Sequence, residues 1–299
     1  MKMKKFIAIL FVLIFFLSFY GNALSNESMS FSNVPVSYFE NAVYNIGRIY
    51  GIKEDKTILN EYNSLFSSKD TFVLVLMYHN IYTNKRINSY DVSLEDFKKH
   101  IEILKSYGFE SIKLDDLYEF LMFNKKIPKR SVIFTFDDGF KSVVLASSVL
   151  KGNGFTGVAS LITGYIGSVW EVNENEIKTL LNNGFEISLH SHKLHNIYQK
   201  LLKEKKYKDI EVDINQSKED AINILHISPI AFTYPQGAFD KTIEEILRKN
   251  GFKIGFGLYG KLINKYGDNP FYVSRVEISE RLKTSNPMVF KKFIEKLIK

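Results

Sequence analysis

The feature that most constrains how this chain can fold is a change of texture at Thr71. From there to the C-terminus, short apolar runs alternate with amphipathic segments. The first run, Phe72 to Met77 (FVLVLM), is continuously apolar, as expected of a strand buried on both faces in a parallel sheet. Comparable runs recur at 131–136, 155–162, 185–190, 230–234, 252–257 and 271–278. Helical patterns separate them at 115–124, 141–151, 174–183, 214–225, 240–250 and 287–298. Another helix opens at Ser93-Leu94-Glu95-Asp96, which resembles a capping box with Asp in place of Glu or Gln; it shows an apolar face of Phe97, Ile101 and Leu104 and closes at Gly108. Repeated β-then-α alternation predicts a parallel α/β fold, specifically a single barrel over residues 71–299, with its active site at the C-terminal strand ends.

Two of those strand ends carry polar clusters. Ser131 to Phe136 runs into Asp137-Asp138-Gly139, and Phe185 to Leu189 runs into His190, with His195 close behind. Adjacent acids and two histidines offer oxygen and nitrogen ligands for a divalent metal, with one carboxylate left over as a candidate general base. The pattern is that of a metal-assisted hydrolase. The bland reading of Asp137 and Asp138 is a helix N-cap, because a helical pattern follows Gly139. The charge-dense run from Lys200 to Asp213 reads as a solvated insertion, and the lysines within it as a solvated loop rather than a contact for acidic glycan.

Upstream of Thr71 the chain reads differently. Lys2, Lys4 and Lys5 precede an apolar stretch from Phe6 to Tyr20, and Ala23-Leu24-Ser25 offers small residues for cleavage, so residues 1–25 read as a secretory signal. An uncleaved membrane anchor is the alternative, the stretch being slightly long for a signal's apolar region but short for a full span. Residues 26–70 are polar with a weak helical pattern and read as a short lead-in or tether, through which the protein could associate with a membrane or cell surface. Removing residues 1–25 takes away three lysines and no acids, lowering the formal charge from +7 to +4. That mild excess is no nucleic-acid footprint. The chain has no cysteine. Export therefore brings no disulfide, and His, Asp and Glu are the available metal ligands.

The stretch from Phe72 to Ile278 resembles the polysaccharide deacetylase family, the NodB-homology domain of carbohydrate esterase family 4. The resemblance rests on Met77-Tyr78-His79-Asn80-Ile81, the Ser93–Gly108 helix, Thr135-Phe136-Asp137-Asp138-Gly139-Phe140, Glu186-Ile187 with His190-Ser191 and His195, and Tyr234-Pro235-Gln236-Gly237. It implies the family's deformed (β/α) barrel. It also implies a metal held by Asp138, His190 and His195, with Asp137 as the base. Zinc suits that ligand set, and cobalt, nickel or iron would also fit. Gln236, flanked by Tyr234 and Pro235 in the Pro-x-Gly turn, would supply a backbone N–H to the oxyanion and mark the substrate side.

The departures from the family pattern narrow the resemblance. His190 and His195 enclose four residues rather than three, and the Tyr78-His79 element precedes the Asp-Asp motif, as in the poly-N-acetylglucosamine deacetylase branch. In that branch the early histidine is the general acid, which makes His79 the candidate; a satisfied strand-end histidine is the alternative. The family's usual Arg falls on Thr233, so Arg275 is expected to orient Asp137 through a charge-assisted hydrogen bond. The aromatic often found in the Pro-x-Gly turn is here Gln236. His192 is set aside as a residue behind the ligands or in the cleft, His100 and His226 as surface residues, and Trp170 as core or rim.

The resemblance thus implies an exported N-deacetylase acting on a β-linked N-acetylglucosamine polymer, poly-N-acetylglucosamine first and peptidoglycan or chitin after it. A non-catalytic glycan-binding relative would be expected to lack the base or a ligand, and a membrane-tethered assembly protein would keep its first segment.

Overall fold

The computed structural model describes residues 66–299, which form one compact unit. The signal or anchor expected over residues 1–25, and most of the lead-in expected over 26–70, lie outside the described residues. In chain order the elements are β1 (Phe72–Tyr78), β2 (Ile81–Tyr82), β3 (Val92–Ser93), α1 (Leu94–Ser106), β4 (Glu110–Ser111), α2 (Leu114–Phe123), β5 (Arg130–Phe136), α3 (Ser142–Gly152) and β6 (Gly157–Leu161). They continue with α4 (Glu174–Asn182), β7 (Glu186–Leu189), α5 (Tyr198–Lys203), α6 (Tyr207–Asn223), β8 (Ala231–Thr233), α7 (Lys241–Lys249), β9 (Ile254–Phe256), β10 (Val276–Glu277) and α8 (Pro287–Leu297).

The main sheet runs β10-β1-β5-β6-β7-β8-β9, every neighbouring pair parallel, with β4 added beside β5. Its two ends meet on one segment. Val276 and Glu277 pair with Leu76 and Met77 of β1, while Val273, three residues earlier, bridges Phe256 of β9. The backbone bonds Gly257 N–H to Val273 O (2.9 Å) and Val273 N–H to Gly255 O (2.8 Å) complete that seam. The expected barrel is therefore closed by residues 273–277.

Strand alternation sorts the core into two layers. On β1, Leu74 and Leu76 pack outward with Val132, Phe134, Phe97 and Ile101, whereas Val73 and Val75 pack inward with Ile133, Val158, Ala231 and Phe256. Leu114, Leu117, Phe120 and Leu121 of α2 join the inner cluster. Glu186, at the start of β7, accepts the Leu114 N–H at 3.0 Å, which seats α2 across the N-terminal mouth. That mouth is plugged by apolar packing, so the opposite mouth is the one free to hold chemistry.

Ser93 is the N-cap of α1, its hydroxyl accepting the Asp96 N–H at 3.0 Å. Two expectations need correction. His100 of α1 is fully buried rather than on the surface: it lies 2.8 Å from Ser285 O through Nε2 and 3.1 Å from the Tyr78 hydroxyl through Nδ1. The run 200–213 is solvated only in part: its lysines are exposed, as expected, but it is not a mere insertion. It contributes to α5 and α6, and Asp213 is buried. There its carboxylate accepts the backbone N–H groups of His192, Lys193 and Leu194 and the Tyr198 hydroxyl, at 2.8–3.1 Å.

Candidate active site

Inward positions at the C-terminal strand ends converge on one cavity of about 230 Å³. His79, Asp137, Asp138, His190, His195, Tyr234, Gln236, Arg275 and Glu277 all line it. Asp137 continues the inward face of β5, and its N–H bonds Tyr78 O at 2.9 Å. The next residue would ordinarily point the other way. Here Asp138 has φ 70° and Gly139 φ 73°, so the chain reverses at once and both carboxylates face the cavity. Asp tolerates this left-handed conformation better than most residues. Neither acid caps α3: its N-cap is Lys141, without a side-chain cap bond. The N-cap reading of the pair is thereby excluded.

Asp138, His190 and His195 form a tight triangle. The two imidazole Nε2 atoms are 3.1 Å apart, and Asp138 Oδ1 lies 3.6 Å from His190 Nε2 and 3.4 Å from His195 Nε2. A tetrahedral ion with ligands at about 2.0 Å has edges of about 3.3 Å between them, which matches. His190 Nδ1 sits 2.8 Å from Thr233 O, and a carbonyl can only accept, so Nδ1 carries the proton and Nε2 presents its lone pair. Burial pushes His190 down to about 4 against the opposing pull of Asp137 and Asp138, which keeps the ring neutral. The residues present fit a divalent ion. His195 reaches the triangle from a short 3-10 turn, His195–Ile197, at the end of the loop that Asp213 pins.

Asp137 does not join the triangle. It is buried and gripped by Arg275, whose Nη1 donates to Oδ1 at 2.8 Å and Nη2 to Oδ2 at 2.9 Å. Burial alone would raise this carboxyl; the Arg275 guanidinium, helped by His190 and His79, holds it well below the usual carboxylate range. Arg275 is in turn fixed by Nε to Gly257 O at 2.7 Å and Nη1 to the Thr135 hydroxyl at 3.0 Å. Beneath this layer the hydroxyls of Ser160 and Ser188 both meet that of Thr233, at 2.8 and 2.9 Å. Thr233 stands where the family's Arg was expected, and its room is filled by this hydroxyl network.

His79, directly after β1, also lines the cavity, with its Nδ1 buried and without a hydrogen-bond partner and its ring 4.9 Å from that of Tyr90. Gln236, at φ 55°, lines the wall and is braced by Gln199, whose Nε2 donates to Gln236 O at 2.9 Å. Tyr234 and Pro235 contribute differently from what the motif suggests. Tyr234 lines the cavity while its hydroxyl donates to Phe271 O at 2.7 Å, and Pro235 is buried and does not line the cavity. His192 faces away as well, its Nδ1 2.7 Å from Asp220. His226 and Trp170 are both exposed. Sequence reasoning overlooked Tyr90, Tyr259, Glu277 and Arg281. Glu277 was legible in principle, being two residues beyond Arg275 in the same strand-like run 271–278 and hence on the same face.

A closed parallel barrel with a clamped carboxylate and an Asp–His–His triangle at its C-terminal mouth defines the class: a barrel enzyme of the hydrolase kind. Residues 124–255 match the family model described as polysaccharide deacetylase. The chain is 28% identical over 296 residues to a poly-beta-1,6-N-acetyl-D-glucosamine N-deacetylase of Staphylococcus aureus (strain MSSA476), covering 94% of each. It is 30% identical over 211 residues to the same-named protein of strain N315, covering 66% of this chain and 71% of that one. Among solved structures it resembles IcaB from Ammonifex degensii, with a TM-score of 0.66 and 25% identity over 76% of this chain and 99% of that one. This chain belongs to the polysaccharide deacetylase family, and is an enzyme that removes acetyl groups.

Proposed function

We propose that this protein is an exported, metal-dependent hydrolase that removes N-acetyl groups from poly-β-1,6-N-acetylglucosamine, leaving acetate and a glycan with free amines. The observation that carries the reading is the pairing of two devices in one cavity: the Asp138–His190–His195 triangle, and beside it a buried Asp137 kept ionised by Arg275. The choice of polymer leans on the names of the staphylococcal relatives and on the histidine spacing with the early His79. Export leans on the leader-like residues 1–25, and attachment to the cell surface on residues 26–70.

In the proposed mechanism Asp138, His190 and His195 would hold a divalent ion, and two imidazoles with a carboxylate suit zinc. When bound, the ion polarises the amide carbonyl and makes a water easier to deprotonate. Asp137 accepts the proton from the attacking water. It is ionised at any working pH, and the fork of Arg275 fixes its orientation, so little is lost to reorganisation. The backbone N–H of Gln236 donates to the developing oxyanion. His79, which lines the same cavity, gives a proton to the departing sugar amine, so that the C–N bond breaks toward a neutral leaving group.

The experiment is acetate release from β-1,6-linked N-acetylglucosamine oligomers, with zinc or cobalt and then with a chelator, alongside Asp137→Asn and Asp138→Ala. Metal-dependent release that both substitutions abolish is the expected result. Intact β-1,6 oligomers with release from peptidoglycan or chitin fragments would move the substrate assignment. No release from any of the three by metal-loaded protein would overturn the enzymatic reading in favour of a glycan-binding role.

A further inference from the structure

A cavity of about 230 Å³ is smaller than the pockets that enclose drug-sized ligands, so it admits one sugar and leaves the rest of a polymer on the rim. On the His79 side that rim is aromatic. Tyr90 and Tyr259 both line the cavity, and both rings are open to solvent, 38% and 51% exposed. They come from loops far apart in sequence, yet one side chain holds both. Arg281 Nη2 donates to the Tyr259 hydroxyl at 2.9 Å, and the same guanidinium lies 5.2 Å from the centre of the Tyr90 ring. Arg281 is itself anchored to the buried Glu277, through Nη2 at 2.6 Å and Nε at 3.2 Å.

The backbones are fixed as well. Arg281 N–H bonds Ser89 O at 2.9 Å, tying the Tyr90 loop to the segment after β10. Gly260, directly after Tyr259, has φ 143°, and a Cβ there would sit 2.5 Å from Ser274 Oγ. Only glycine lets the Tyr259 loop turn that closely onto the barrel wall. Exposed aromatic rings held this rigidly lose little entropy when a ligand covers them.

We propose that Tyr90 and Tyr259 form a sugar-stacking subsite, which binds the N-acetylglucosamine residue next in the chain to the one being deacetylated. It rests on the function proposed above. The occupant follows from continuity: the platform shares the cavity with the catalytic groups, so a polymer with one residue inside must lay a neighbour across the rim. A pyranose ring offers an apolar C–H face to an aromatic ring and keeps its hydroxyls in water. The sequence lacks the aromatic expected in the Pro-x-Gly turn, where Gln236 stands, and Tyr259 supplies one on the adjoining loop. There Leu258 packs within 2.8 Å of the position a Cβ on Gly237 would take.

The test is steady-state acetate release by the full chain from β-1,6-linked N-acetylglucosamine dimer and pentamer. For Tyr259→Ala, KM for the pentamer is expected to rise about tenfold, with a much smaller rise for the dimer and little change in kcat. Tyr259→Trp, which keeps an aromatic face, is expected to restore most of the pentamer KM. Trp170→Ala removes a still more exposed aromatic outside the cavity and is expected to leave both KM values as they are. Active protein whose Tyr259→Ala and Tyr90→Ala variants keep the wild-type pentamer-to-dimer KM ratio would overturn the subsite alone. Wild-type protein inactive on both oligomers would overturn the parent reading, and the subsite with it.

Discussion

Replacing Arg275 by Met tests the clamp on the base most directly. The substitution keeps the length and apolar stem of the side chain but removes its four donated hydrogen bonds, two of them to Asp137. Burial, which raises Asp137, would then be opposed only by the neighbouring His190 and His79. Breaking a buried ion pair by removing one partner costs about 3–5 kcal/mol. An independent route gives a similar size. If Asp137 instead takes up a proton, holding it there at pH 7 against an ordinary value of 3.8 costs about 4 kcal/mol.

The sign of the pH dependence follows. In the wild type the folded-state carboxyl lies below its unfolded value, so Asp137 adds stability above about pH 4 that is lost on acidification. In Arg275→Met it lies above, so the variant loses stability as pH rises from about 4 to 7. The stability gap between the two proteins should widen across that window, reaching about 10 °C in Tm at neutral pH. Thermal melts at pH 4.5 and 7.5, with acetate-release rates at the same pH values, measure it. The rate should fall at least about 100-fold, because the base is both misoriented and protonated. A variant melting within 2 °C of wild type at both pH values, on the scale of roughly 2–4 °C per kcal/mol, would refute the argument.

Asp213→Asn should weaken metal binding by about 10–100-fold although it touches no ligand, because it loosens the loop that delivers His195; competition with a chromogenic chelator reads this directly. His100 is pushed down to about 4 by burial, against an ordinary 6.5, so it stays neutral while the unfolded chain protonates. Up to about 3 kcal/mol of stability should therefore be lost between pH 6.5 and 4, and His100→Gln should flatten that part of the Tm-against-pH curve. Chelation should lower Tm in wild type but not in His195→Ala, whose triangle is already broken; equal Tm shifts in both would argue against a metal on those ligands.

The strands were legible because each buried parallel strand must be apolar throughout, a demand that leaves long runs such as FVLVLM. The strand-end clusters were legible because chemistry at a barrel mouth places polar residues straight after such runs. Asp213 and His100 were not, for a common reason. Each is a single polar residue inside a helix whose neighbours look solvated, and its burial is decided by contacts outside its own helix. His100 meets Ser285, 185 residues away. Arg281 and Tyr259 were missed similarly, since only the barrel's closure brings their loops to the cavity. Asp138 was read as a ligand without its turn: the left-handed φ that makes two adjacent acids face one way is a backbone property that residue spacing does not display.

The seam at 273–277 has a consequence for when the protein becomes an enzyme. It is the last piece of the barrel to leave the ribosome, and it carries Arg275, whose bonds to Asp137 span 138 residues. Long-range contacts of this kind form late in folding. Until the seam docks, Asp137 lacks its partner, Glu277 and Arg281 cannot reach the rim, and the earlier strands hold an incomplete mouth. Hydrolytic competence is thus an all-or-nothing readout of the finished barrel, and a chain interrupted before Val273 should be inert however much of the sheet it has built.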